Sequence, residues 1–323
     1  TSVPPPKRWP VTPLAGTRPR WFPLAREEAR GLLTAKGPWI LAVLIVLWGY
    51  RPTYVGWQGL GSNMTIGFLQ TAGSFLLPLG VLLLSYRSVV GERTSGSLKF
   101  VLGLPMTRSD ILVGKILGRS AGLAIPLSAA AVTLGVIGLI RFGAFSPLLF
   151  CGVLLMTLVY VMSLVSVGTA LSAVTMSTVR AAGAALGGVY LVFTAFWTKF
   201  AEMIYATVGA ASPGTTVGTA SVNSFSAPAD GLFFLLLRLS PGRAYRVLTN
   251  WLLGVGNSGA SFDAVITKLE TPTSITIYTV ESAFQGQTPP AYLHELSGVV
   301  ILLCWLLVPL GIARYQFERG DLV

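Results

Sequence analysis

Long apolar runs, broken by short polar islands, leave this chain few ways to fold. Several runs approach the ~20 residues that carry a helix across ~30 Å of hydrocarbon. A backbone surrounded by lipid must satisfy its own N–H and C=O groups, so only helices and closed barrels cross. Barrel strands alternate apolar and polar residues, and these runs do not. Of 323 residues, 53% are hydrophobic and 11% charged, too little polar surface for a soluble domain. The sequence predicts an all-α integral membrane protein with six transmembrane helices.

The expected spans cover about 33–50, 66–86, 116–140, 148–175, 181–200 and 296–313. Residues 1–32 read as a basic, Pro-rich tail followed by an amphipathic interfacial helix, Leu24 to Leu33. No secretory leader is expected, because this basic segment precedes the first apolar run. Residues 33–200 hold spans one to five, with a polar loop at 87–115. Residues 201–295 are expected outside the membrane as a mixed α/β region. Two short amphipathic helices are expected within 230–254, on the outer surface or within a small domain, and a strand at Ser274–Val280, which is rich in β-branched residues and alternates every second residue. Residues 296–323 hold the sixth span and a short basic tail.

Net charge is +11. In a soluble protein that would suggest nucleic acid; here no nucleic-acid partner is expected, because the charge is sorted by side. Sixteen of the 23 Lys and Arg residues fall in the termini and even-numbered loops. Most of the other seven lie in the long 201–295 segment, which counts little in the positive-inside rule. Both termini and the 87–115 loop are therefore expected in the cytoplasm of a multi-pass cell-membrane protein.

That loop carries the most specific signal. It reads Glu92-Arg93-Thr94-Ser95-Gly96-Ser97-Leu98, then an amphipathic turn ending at Leu102, then Leu104-Pro105-Met106-Thr107-Arg108. Ser109-Asp110 is expected to open the next helix, which passes through Ile111-Leu112-Val113-Gly114-Lys115. Gly114, Gly118 and Gly122 recur every four residues and flatten one helix face for close backbone packing, and Gly183 and Gly187 do the same at the start of the fifth span. Read alone, the loop is a basic connection that enforces topology.

These elements resemble the cytoplasmic coupling loop of type-2 ABC transporter permeases. Within that family the Gly103-Leu104-Pro105-Met106-Thr107-Arg108-Ser109-Asp110 form looks nearest to permeases of nitrous-oxide-reductase maturation. The resemblance implies a permease subunit of an exporter working by alternating access. A separate cytoplasmic ATPase would bind ATP and Mg, and a second copy or sister permease would meet spans one and five. It also implies that Glu92, Arg93, Gly96, Leu98, Leu102, Pro105 and Arg108 couple to the ATPase, with Leu98 and Leu102 as anchors. Arg108 and Lys115 would meet phosphates or acidic partner residues. The alternative is a membrane anchor or force-transmitting subunit acting on an extracytoplasmic protein.

The residues exclude other chemistry. There is no G-x-x-x-x-G-K-[ST] loop, no G-x-S-x-G elbow and no H-E-x-x-H pair. His294 is the one histidine, and Cys151 and Cys304 lie inside apolar runs, so neither a metal site nor a disulfide is expected. No acidic residue lies inside a span to relay protons or sodium. Asp263 and Glu270 are expected to be solvated acids rather than a catalytic pair. The chain is expected to have no enzyme activity of its own.

Overall fold

The computed structural model describes residues 19–50, 61, 63–97, 106–209, 230–261, 264, 278–284 and 287–319. Among the described residues five helices are long and apolar enough to cross a membrane, or six if one bent helix pair counts as a single span. Helix α1, Phe22–Thr34, meets α2, Lys36–Gly49, at an angle of 60°. The break is Ala35, whose extended backbone (ψ 145°) interrupts the helical ladder. The first crossing segment thus starts at Lys36 rather than Leu33. At 14 residues it is roughly 21 Å long.

The bundle continues with α3 (Met64–Ser85), a short α4 (Val90–Ser95), α5 (Arg108–Phe142) and α6 (Pro147–Val174). Helix α3 is the central rod: 72% of its apolar window is buried, against 17% for the peripheral span Thr178–Val208. That span is composite. It opens with α7, Thr178–Ala182, passes through a π-helical segment, Gly183–Phe196, and ends as α8, Trp197–Gly209. A π stretch of 14 residues is long for an element mostly seen as single-turn bulges.

Residues 230–254 form α9, Gly231–Arg238, and α10, Pro241–Leu253. They do not lie on the surface. Ala244, Tyr245 and Leu248 of α10 belong to the same core as Phe68, Tyr160 and Leu302. The reason is local: α10 has a strongly apolar stripe at helical spacing, and the groove between α3, α6 and the last helix buries it. Among the described residues there is no strand, only an isolated antiparallel bridge between Ser258 and Thr279. Most of the strand expected at 274–280 lies outside the described residues. Its last position, Val280, begins helix α11, Val280–Phe284. A small second core joins Tyr205, Phe233, Leu237, Val280, Phe284 and Leu293 at this end. The chain closes with α12, Ser297–Arg319, interrupted by Pro309.

Several polar side chains inside the bundle pair across helices, which offsets the cost of burying them. Gln70 of α3 donates to Thr249 Oγ1 and Asn250 Oδ1, both at 2.7 Å. Tyr160 and Tyr245 stack at 4.8 Å, and the Tyr245 hydroxyl meets Thr157 Oγ1 at 3.0 Å. Ser163 and Ser166 of α6 donate to the carbonyls of Leu302 and Leu306 in the turns before Pro309. Replacing Asn250 by Ala would strand buried partners at about 1–3 kcal/mol. Asn250→Ala is expected to lower the thermal unfolding midpoint in detergent, whereas the exposed Tyr292→Phe is expected to leave it unchanged.

Candidate functional site

Glu92, Arg93 and Lys115, three of the residues in the loop motif, come together where α1, α4, α5 and α6 meet. Lys115 of α5 is fully buried and lies 2.5 Å from Glu28 Oε1 and 2.6 Å from Glu92 Oε1. Arg119, one turn on, places Nε 3.0 Å from Glu28 Oε2, an ion-pair distance off the hydrogen-bond direction. Its Nη1 donates to the Leu84 carbonyl at 2.7 Å. Two carboxylates and two cations therefore sit together, and three helices meet through them.

The glycine stripe makes this possible. Gly114, Gly118 and Gly122 all face α1. A Cβ on Gly118 would collide with the Ala25 carbonyl and lie 2.8 Å from Glu28 Cβ. A Cβ on Gly114 would lie 3.0 Å from the Trp21 carbonyl, and one on Gly122 would lie 3.0 Å from that of Ala29. Only bare backbone lets α1 approach closely enough for Glu28 to reach Lys115. The helix at 22–34 is thus seated on α5 with Ala25 buried, and does not lie free on a surface.

Helix α4 is fixed at its other side by α6. Ser172 Oγ accepts from Val89 N and Val90 N, both at 2.9 Å, satisfying donors at the first turn of α4. In return Arg93 donates to the carbonyls of Thr175, at 2.9 Å, and Ala173. These are terminal carbonyls of α6, and a cation there also favours the helix dipole. Gly96 closes α4 in the left-handed conformation (φ +77°), which an L side chain adopts only with strain.

Other predicted positions fall differently. Leu98, Leu102 and Pro105 lie outside the described residues, as does the amphipathic turn. Helix α5 begins at Arg108, with Thr107 as N-cap rather than Ser109 or Asp110. Thr107 and Asp110 form a reciprocal capping box because Asp110 stands at the third helical position. Lys115 is not available to phosphates or to another chain, since its charge is enclosed by Glu28 and Glu92. A Cβ on Gly183 or Gly187 would meet no other part of the chain within 4 Å, so this face is open in the single chain. No cluster of His, Cys, Asp or Glu suited to a metal occurs among the described residues.

Sequence reasoning missed Glu28, Ser172 and the role of Arg119. Glu28 shares one face of α1 with Ala25 and Leu32, and a buried lysine requires a counter-charge. Those two signals together would have paired them. Ser172 gives no sequence signal, because its partner N–H groups are more than 80 residues away in the chain.

A family model described as ABC-2 family transporter protein matches residues 55–322. The chain is 33% identical over 157 residues to a probable ABC transporter permease protein NosY of Pseudomonas aeruginosa, covering 41% of this chain and 55% of that relative. It is 32% identical over 114 residues to the protein of the same name from Stutzerimonas stutzeri, covering 32% of this chain and 40% of the relative. The match thus spans about half the length of these curated relatives.

Removing Lys115 leaves two acids facing each other in a mostly buried site. Breaking such a pair costs about 3–5 kcal/mol. Lys115→Ala is expected to lower the unfolding midpoint substantially, and Glu92→Gln less, because Lys115 keeps Glu28. Gly118→Leu is expected to lift α1 off α5, read as new protease sensitivity within residues 22–34.

Proposed function

The chain belongs to the ABC-2 family of transporter proteins, and on that premise we propose that it is the permease half of an exporter moved by a separate cytoplasmic ATPase. At the level of the family it is a multi-pass transmembrane subunit of an ABC transporter, and such subunits are not themselves ATPases. ATP and Mg belong to the partner. The finer reading rests on one observation: α4 is bound on opposite sides by α5 and α6, and through Lys115 also to α1.

A force delivered to α4, Val90–Ser95, passes directly to the helices bound to it. Moving α4 displaces Glu92, and with it Lys115 and the Glu28 end of α1. The same motion pulls Ser172 and Thr175 at the end of α6. The α4 end faces the cytoplasm in this reading, from the distribution of Lys and Arg. Arg93 and Glu92 hold α4 in place, and Leu98 and Leu102 meet the ATPase in this reading. The second permease copy covers the open faces of α2 and the Gly183–Gly187 segment, where Ile40, Val43 and Leu47 are exposed. Transport by alternating access then follows from rocking of two bundles.

A specific feature favours a second reading, in which the chain transmits force to an extracytoplasmic partner without solute passage. Helix α6 binds α4 at Ser172 and the distal hairpin at Thr157 and Tyr160. The stretch of α6 from Thr157 to Ser172 makes a rod of roughly 22 Å. Displacement at one end therefore reaches α10 at the other.

Glu92→Ala and Leu98→Asp are expected to leave membrane insertion and ATP hydrolysis by the assembly in place while abolishing its output. Normal output in both variants would refute coupling through this segment. Solute release from proteoliposomes on ATP addition supports the exporter. ATP turnover without solute flux, but with an effect on a bound extracytoplasmic protein, supports force transmission.

A further inference from the structure

A groove of about 510 Å³ opens on the side of the bundle between α6, the π segment and α12. That volume is in the range of sites that enclose small molecules. Its lining is apolar throughout, with Val174, Val189, Phe193, Val308 and Ile312 among the walls. The two indoles on it turn their N–H groups away: Trp197 Nε1 donates to the Leu236 carbonyl and Trp305 Nε1 to that of Leu239, at 2.9 and 2.8 Å. No polar solute finds a partner here.

The groove has a closed end and an open end. Phe193 stacks on Trp197 at 4.6 Å and meets Trp305 edge-on at 4.8 Å, and Leu239 at the tip of the α9–α10 hairpin completes the roof. Along α12 the walls run from Cys304 to Ile312, roughly 12 Å at 1.5 Å per residue. That is close to half of a ~30 Å hydrocarbon layer, on the side of α4. At the open end Val174 finishes α6, and Ile312 is followed two residues later by Arg314; Arg314 and Arg180 are both exposed.

We propose that this groove holds an acyl chain of an anionic phospholipid from the leaflet at the α4 end, with the phosphate against Arg180 and Arg314. The shape selects the occupant. The groove's walls are apolar, aromatic rings close one end, and exposed arginines follow the walls at the other, which suits a hydrocarbon chain carrying an anionic head group. The aromatic roof stops that chain at mid-membrane, so the lipid is a resident and not a cargo. Its position matters because the groove walls include Ala170 and Val174, whose helix ends at the α4 anchor. The resident lipid packs the peripheral span against α6, where the protein itself supplies few contacts.

The test is native mass spectrometry of the full chain incubated with equimolar dioleoyl phosphatidylglycerol and dioleoyl phosphatidylcholine. Wild type is expected to retain the phosphatidylglycerol adduct preferentially. Val308→Trp fills the groove from an exposed position and is expected to lose the adduct. Arg180→Glu combined with Arg314→Glu, both on the surface, is expected to lose the preference for phosphatidylglycerol. An undiminished adduct in Val308→Trp overturns the proposal, and so does equal retention of both lipids by wild type. So does a disulfide through Cys304 between two Cys151→Ser chains in nanodiscs, which would place a second copy over the groove.

Discussion

A fully buried lysine needs a negative partner within a few ångström, and much of this architecture follows from meeting that need for Lys115. One carboxylate comes from α1 and the other from α4, so a single ammonium holds two otherwise separate segments against α5. The glycine stripe and the ion pairs are one device. Without bare backbone at Gly114, Gly118 and Gly122, α1 would stand off and Glu28 would fall short. Without Glu28, close approach would leave Lys115 with half its compensation.

The distal end meets the same problem with neutral groups. Gln70, Thr249 and Asn250 satisfy one another inside the bundle, and two indoles take up carbonyls at the end of α9 that would otherwise face hydrocarbon. Helix α6 takes part at both ends. Its hydroxyls bind α4, α10 and α12 in turn, at Ser172, Thr157 and Ser163. Against this stands the Thr178–Val208 span, which is packed least and carries the π segment. Loose packing and an uncommon backbone fall together where the bundle needs a neighbour, whether lipid or a second chain.

Hydrophobic run length fixed the helical class and placed most spans within a few residues, because the cost of unpaired backbone in lipid is local and large. The loop motif drew attention to Glu92, Arg93, Gly114 and Lys115, whose residue types and spacing are visible along the chain. What run length misjudged were features with competing local explanations. The stretch from Leu24 to Tyr50 reads as an anchor and then a span, but the bend falls at Ala35 and the first helix turns back onto α5. The apolar run Gly231–Leu237 is too short to cross, which points to the outer surface or a small external domain, yet a hairpin need not cross to be buried.

Sequence by itself determined that this chain is a helical membrane protein with a charged α4 segment between its second and third crossing helices. Only tertiary structure decided which charges face each other. The pairing of Lys115 with Glu28 spans 87 residues and that of Ser172 with Val89 spans 83. Periodicity reports which face of a helix avoids water; it carries no record of which distant helix that face will meet.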